Sequence, residues 1–169
     1  MIVMSRFDLG AALAAIGPAL AAPSQPEAGF MAFSEHCRAR AGHRLFTLLA
    51  WMEADNDVQR IWSSNPVDYP VSARKQMGIT EWGSRVLHRR QLWMGRNADD
   101  IRWAFPDHAL IERLGCAACI NALVVWDGQL LGVVAMLDAE NAYTEEDMVG
   151  LNAIAPLLAP GFLAFHKGI

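Results

Sequence analysis

Residues 120–138 read INALVVWDGQLLGVVAMLD. Two apolar runs, 120–126 and 129–138, flank the dipeptide Asp127-Gly128. Asp-Gly suits the central pair of a type I′ turn, where both residues take positive φ and the twist matches that of the flanking strands. The stretch therefore predicts an antiparallel β-hairpin, the firmest local reading in the chain.

Downstream, YTEEDMVGLNAIAPLLAPGFLAF (143–165) predicts a helix. Thr144 stands three residues before Asp147, the spacing of a capping pair, and Met148, Leu151, Ile154, Leu158 and Phe162 form one apolar stripe. Pro156 and Pro160 should kink or shorten it. Upstream, PDHALIERLG (106–115) and NADDIRWAF (97–105) predict two short helical segments, and QLWMG (91–95) a short strand. Thr80 caps a further short helix through Trp82, Val86 and Leu87, with Arg89 and Arg90 in its last turn. The segment 65–79 is irregular, because Pro66 and Pro70 each restrict the residue before them.

HRLFTLLAWMEA (43–54) and VQRIWSS (58–64), joined through Asp55-Asn56-Asp57, predict a second antiparallel hairpin. Before it, EAGFMAFSEHCRARAG (27–42) predicts a helix beginning near Ser24 or Gln25, with Phe30, Phe33 and Cys37 inward and Gly42 as its stop. Pro18, Pro23 and Pro26 bend the chain ahead of that helix. The first residues are either an amphipathic helix with Phe7, Leu13, Ile16 and Leu20 as its stripe, or the apolar part of a secretory signal. Asp8 and Pro18 count against the signal. The sum is an α+β sandwich: an antiparallel sheet with the terminal helices on one face and the middle loops and helices on the other. Residues 1–42 form an N-terminal helical segment packed on a domain spanning 43–169.

The chain has 169 residues, 53% hydrophobic and 19% charged, enough apolar material for one sizeable core. With 14 basic against 18 acidic side chains, the net charge is −4. No basic block exceeds Arg89-Arg90, a balance that argues against a nucleic-acid surface. No run reaches the ~18 apolar residues of a membrane span. Three cysteines make no disulfide framework and fit a reducing compartment, so the expected location is cytoplasmic.

The run from HALIERLGCAACINALVVWDGQLLGVVAML to AENAYTEEDMVGLNAIAPLLA resembles the closing half of a GAF domain, and the element order from about His43 onward fits the same family. The resemblance implies a five- or six-stranded antiparallel sheet with a small-molecule pocket between the sheet and the segments that join the second strand to the hairpin at 120–137. It also implies a sensory role and pairing of two copies through the terminal helices. The chain ends just after the last helix, so a stand-alone sensor without an attached output domain is expected. One enzymatic branch, the free methionine-(R)-sulfoxide reductases, carries cysteines in GVCG and ACD segments. This sequence reads GITEWGS (78–84) and GRNADDI (95–101) at those places, which removes the expected nucleophile.

Cys116 and Cys119 form a CxxC. An extended chain would send them to opposite faces with Cα atoms about 10 Å apart, beyond the ~7 Å reach of a disulfide. They read as small buried residues at a strand entrance, with Cys119 and Asn121 sharing a face that borders the pocket. Ser63, Ser64 and Asn121 are candidate hydrogen-bond partners for a ligand. Arg74 and Lys75 are candidate clamps for an anionic end, and Tyr69 and Trp82 offer aromatic faces. Trp62, Trp93 and Trp103 run through the same region. His36, His43, His88, His108 and His166 show no ligand spacing, and Asp99-Asp100 and Glu145-Glu146-Asp147 suit helix starts. No metal, cofactor or catalytic residue is expected. Three functions remain open: a small-molecule sensor, a thiol-dependent enzyme related to the sulfoxide reductases, and a dimeric interaction module with a vestigial pocket.

Overall fold

A computed structural model describes residues 5–71 and 74–168. Six strands form one antiparallel sheet: β1 (Leu45–Met52), β2 (Asp57–Ser63), β3 (Arg74–Lys75), β4 (Trp93–Gly95), β5 (Ala118–Trp126) and β6 (Gln129–Asp138). Their order is β3-β2-β1-β6-β5-β4. The hairpin expected at 120–138 is β5–β6, with Asp127 at φ 48° and Gly128 at φ 69°, the pair a type I′ turn requires. The short edge strand β3 was not expected: it lies in the stretch read as irregular, whose Ser72 and Ala73 fall outside the described residues.

Helices α1 (Leu9–Ala21), α2 (Glu27–Ala41), α6 (Glu145–Ile154) and α7 (Ala159–Lys167) cover one face. Short helices α3 (Glu81–Gly83), α4 (Ala98–Ala104) and α5 (His108–Arg113) lie over the other, α3 running on into a π-helical turn, Ser84–His88. Along β1, Phe46, Leu48 and Ala50 enter the helical core, while Leu45, Leu49 and Trp51 enter the second one. A sheet buried on both sides needs apolar residues at both parities, which is why its middle strands read as unbroken apolar runs.

The helix ends follow local rules. Asp8 caps α1 through its side chain, and Gly42, at φ 79°, ends α2. Thr144 and Asp147 form a full capping box on α6, and Asp147 also accepts a bond of 2.9 Å from Arg6 Nε, tying the N-terminal segment to the last helices. Pro156 and Pro160 interrupt the run, which passes through a 3₁₀ turn, Ala155–Leu158, between α6 and α7. Taken together, Glu145–Lys167 is long and apolar enough to cross a membrane, contrary to the sequence expectation. Leu151, Ile154, Leu158 and Phe162 are instead buried in the helical core. The stripe of α1 is also shifted: Phe7, Ala12 and Ile16 are buried, but Leu13 is 49% exposed. At Gly132 a Cβ would come within 2.1 Å of the Leu49 carbonyl and 2.3 Å of Phe162, so glycine lets α7 seat against the sheet.

Candidate functional site

The site begins with an irregularity in β2. Between the pairs Leu48–Trp62 and Leu49–Arg60, Ile61 is an extra residue, a β-bulge. In a regular strand Arg60 and Trp62 would face the same way. The bulge separates them. Trp62 turns to the helical core, where it meets Phe46 edge-on and donates from Nε1 to Glu27 Oε1 at 2.9 Å. Arg60 stays on the opposite face beside Val58, and its guanidinium is sunk to 3% exposure.

Around Arg60 lies an enclosed cavity of about 20 Å³, room for one water-sized group. Thr47, Leu49, Ala135 and Leu137 of the sheet form its floor, Phe105 and Ile111 one wall, and Tyr69 and Lys75 the other. Asp107, just ahead of α5, closes the charged end. Its Oδ2 accepts from Tyr69 Oη at 2.6 Å and from Lys75 Nζ, and lies 3.6 Å from Arg60 Nη2. Arg60 Nη1 donates to the Pro70 carbonyl at 2.7 Å, and its guanidinium carbon sits 3.5 Å above the Tyr69 ring. The strap between β2 and β3 folds back through Asn65, whose side-chain oxygen accepts from Asp68 N and whose carbonyl accepts from Tyr69 N. Among the described residues, Arg60 Nε and Asp107 Oδ1 are buried without a partner.

The electrostatics agree with an ionic cluster. Burial alone would raise the Asp107 carboxyl, but Lys75, Tyr69 and Arg60 outweigh it and hold the group below the usual carboxylate range. Burial lowers the Lys75 ammonium, against the pull of Asp107. Burial, then the Asp107 charge, pushes the Tyr69 phenol up, keeping it a donor. A larger hollow of about 400 Å³ is an open groove along α6, lined by Ser5, Glu145, Glu146 and Val149. It holds none of the buried, unpartnered polar atoms, so the enclosed cavity is the stronger site.

Of the residues named from sequence, Tyr69 and Lys75 line this cavity. Arg74, next along β3, points the other way to Asp55 and Asp57 at 3.6 and 3.9 Å, and is half exposed. Ser63 Oγ accepts from Asn65 N, and Ser64 pairs with the Phe46 backbone in both directions, so both hydroxyls serve the strand end. Trp82, Cys119 and Asn121 lie under the same sheet face but bond one another. Trp82 Nε1 donates to Asn121 Oδ1 at 3.0 Å, and the Asn121 amide donates to the Val134 carbonyl. Trp82 then packs behind Phe105 at 5.7 Å, which makes it a support of the cavity wall. Trp93 and Trp103 stack on each other farther out.

Sequence reasoning missed Arg60 and Asp107. Arg60 carried a signal: Val58, Arg60 and Trp62 share one parity, so an arginine stood in an apolar register. Asp107 follows Pro106 in a segment that reads only as a short helix.

The cysteines depart from expectation in one respect. β5 begins only at Ala118, after a turn at Gly115 with φ 82°, so Cys116 lies ahead of the strand, and both thiols enter the same core layer. All three cysteines are free and buried. Burial, with Asp138 adding, pushes Cys116 up to about 11, and burial also raises Cys119 and Cys37 well above the ordinary thiol value. Thiolate, the reactive form, is therefore scarce near neutral pH. Among the described residues no group of three or more His, Cys, Asp or Glu side chains is placed to hold a metal ion.

Sheet order and two-faced packing are those of a GAF-like fold. No family profile and no curated protein matches the sequence. Solved structures do. The GAF domain of a phosphoenolpyruvate-protein phosphotransferase from Coxiella burnetii aligns with a TM-score of 0.72 at 17% identity, covering 95% of each chain. The corresponding Acinetobacter domain aligns at 0.73 and 13% identity over 94% of each. The free methionine-R-sulfoxide reductase of Neisseria meningitidis, solved with its substrate, aligns at 0.69 and 17% identity over 100% of this chain and 99% of its own.

Two groups of titrations set the pH dependence. Burial lowers His36, with Arg40 adding, and lowers His43 against its bond to Ser34. The unfolded chain then binds more protons below about pH 6.5, so stability falls as pH drops through that value. Asp107 and Asp147 are depressed, so their contribution is present above about pH 3.9 and lost below it. Urea midpoints across pH 3–8 should fall in two steps. His36→Gln with His43→Gln should flatten the first; an unchanged first step would contradict the assignment.

Proposed function

We propose that this GAF-fold protein is a binding module for a small anionic molecule, held at the Arg60–Lys75 end of the enclosed cavity. One observation carries the reading: a guanidinium at 3% exposure whose Nε has no partner among the described residues, beside a second cation and an apolar pocket. Buried cations of this kind are retained where they recognise an opposite charge. Tyr69 supplies an additional donor. In the closed form the cavity takes only a water-sized group, so binding requires the strap between β2 and β3, or Asp107, to move.

A thiol reaction finds less support, since every cysteine is buried and its pKa raised. The test is titration of the full chain with small carboxylates, phosphate and the matched neutral amides, followed by calorimetry or thermal shift. An anion should bind better than its neutral isostere, and Lys75→Met should weaken it about tenfold or more, the loss of one charge-assisted bond. Equal response to anions and amides, or none to any anion, would overturn the reading.

We further infer a cytoplasmic homodimer paired along α1. That helix carries no charged side chain, yet Leu9 and Leu13 are 56% and 49% exposed, an apolar face of the kind that marks an interaction surface. Leu13→Glu should convert a dimer to a monomer in sedimentation velocity; a parent chain that is already monomeric at micromolar concentration would refute it.

A further inference from the structure

We propose that Asp107 occupies the place of a ligand carboxylate, and that a short aliphatic monocarboxylate binds by displacing it from Arg60 and Lys75. The inference rests on the anion-binding reading above and names both the ligand class and the residue that competes with it.

The position of Asp107 is the first observation. It stands at the N-cap of α5, where an aspartate ordinarily accepts from the backbone N–H groups of its own first turn. It makes no such bond, with φ −93° and ψ 26° rather than the extended cap conformation. Its carboxylate reaches instead across the cavity to Lys75, Tyr69 and Arg60. A carboxylate freed from those three has somewhere to go: the side chain is already 22% exposed, and the N–H groups of its own helix lie beside it.

The way Arg60 is used is the second. Guanidinium and carboxylate pair best as a fork, two parallel N–H···O bonds. Asp107 cannot make that fork from its tether. Among the described residues all its contacts fall on Oδ2, the approach to Nη2 is 3.6 Å, Oδ1 is buried and unpartnered, and Nε of Arg60 is unpartnered as well. Nη2 and Nε together are the side-on edge of the guanidinium. An untethered carboxylate can present both oxygens to that edge while keeping Lys75 and Tyr69 as donors, and so makes bonds the internal one leaves unmade.

The walls name the rest of the ligand. Leu49, Val58, Phe105, Ile111, Ala135 and Leu137 are apolar and offer nothing to a second charge, which fits a short hydrocarbon tail. The closed cavity of about 20 Å³ is too small for such a molecule until the Asp107 side chain leaves, so exchange of one carboxylate for another also supplies the space.

The affinity of the parent chain is then reduced by the fraction of molecules in which Asp107 is already out. Calorimetric titration with sodium propionate, at ionic strength matched with chloride, should show Asp107→Asn binding about tenfold or more tightly than the parent. Asp107→Ala, which leaves a carboxylate-sized gap, should gain more thermal stability from propionate than the parent does. Alanine and propionamide serve as comparison ligands. Parent binding with an unchanged or weakened Asp107→Asn would sink the displacement while leaving anion binding intact. Alanine bound in preference to propionate, and lost in Asp107→Asn, would make Asp107 a partner of a ligand ammonium and overturn the proposal. A variant that stays unfolded even with propionate present would mark Asp107 as a structural bridge, with the same consequence. No propionate binding by any form would overturn the monocarboxylate proposal, whereas the anion-binding reading falls only if phosphate and the other carboxylates also fail to bind.

Discussion

A guanidinium cannot be taken out of water on the face of a β-sheet unless its charge is answered close by, and the middle of this molecule is organised around that requirement. Arg60 is 3% exposed. The dehydration penalty for such a group is several kcal/mol before compensation. What compensates it comes from two separate parts of the chain: the Pro70 carbonyl and Tyr69 ring of the strap, and Asp107 in the turn that opens α5, which also pairs with Lys75. The strap lies where it does because Arg60 and Asp107 hold its Tyr69 and Pro70. The cavity exists because apolar floor and charged end are brought together there.

The two faces of the sheet are built on different physics. On the helical side, aromatic and aliphatic side chains interlock, with Phe30 edge-on to Phe162 and Phe33 tilted on Phe46, and the polar contacts sit at the rim. Arg6 with Asp147, and Tyr143 with the Gly42 carbonyl, tie chain ends to that layer. The opposite side is closed by short helices and a strap whose anchors are ionic. Dense apolar packing resists local opening better than a small set of polar anchors over a cavity.

How far this was legible in the sequence depends on how local each feature is. The Asp127-Gly128 turn, the Thr144–Asp147 cap, the Gly42 stop and the breaks at Pro156 and Pro160 are each decided within a few residues, and each is found where the pattern puts it. The bulge at Ile61 is not local: it reflects how β2 must shift to pair with β1, and it alone decides which face Arg60 takes. Strand β3 has two residues and exists only through its pairing with Val58 and Gln59. Arg74 and Lys75 were correctly seen as a basic pair, but adjacent strand residues face opposite ways, so only Lys75 enters the cavity. Asp107 drew no attention in a segment read only as a short helix, and is found acting as a counter-ion. Cys116 falls in the core layer because a turn at Gly115 precedes it.

Lys75 and Asp107 close the cavity as one coupled ionic unit around Arg60, and a thermodynamic double-mutant cycle measures that coupling. Unfolding free energies of the parent, Lys75→Met, Asp107→Asn and the double variant isolate the pairwise term. A favourable coupling of about 1–3 kcal/mol is expected, since both groups are largely buried and hydrogen-bonded. Additive effects, with no coupling between the two positions, would contradict it.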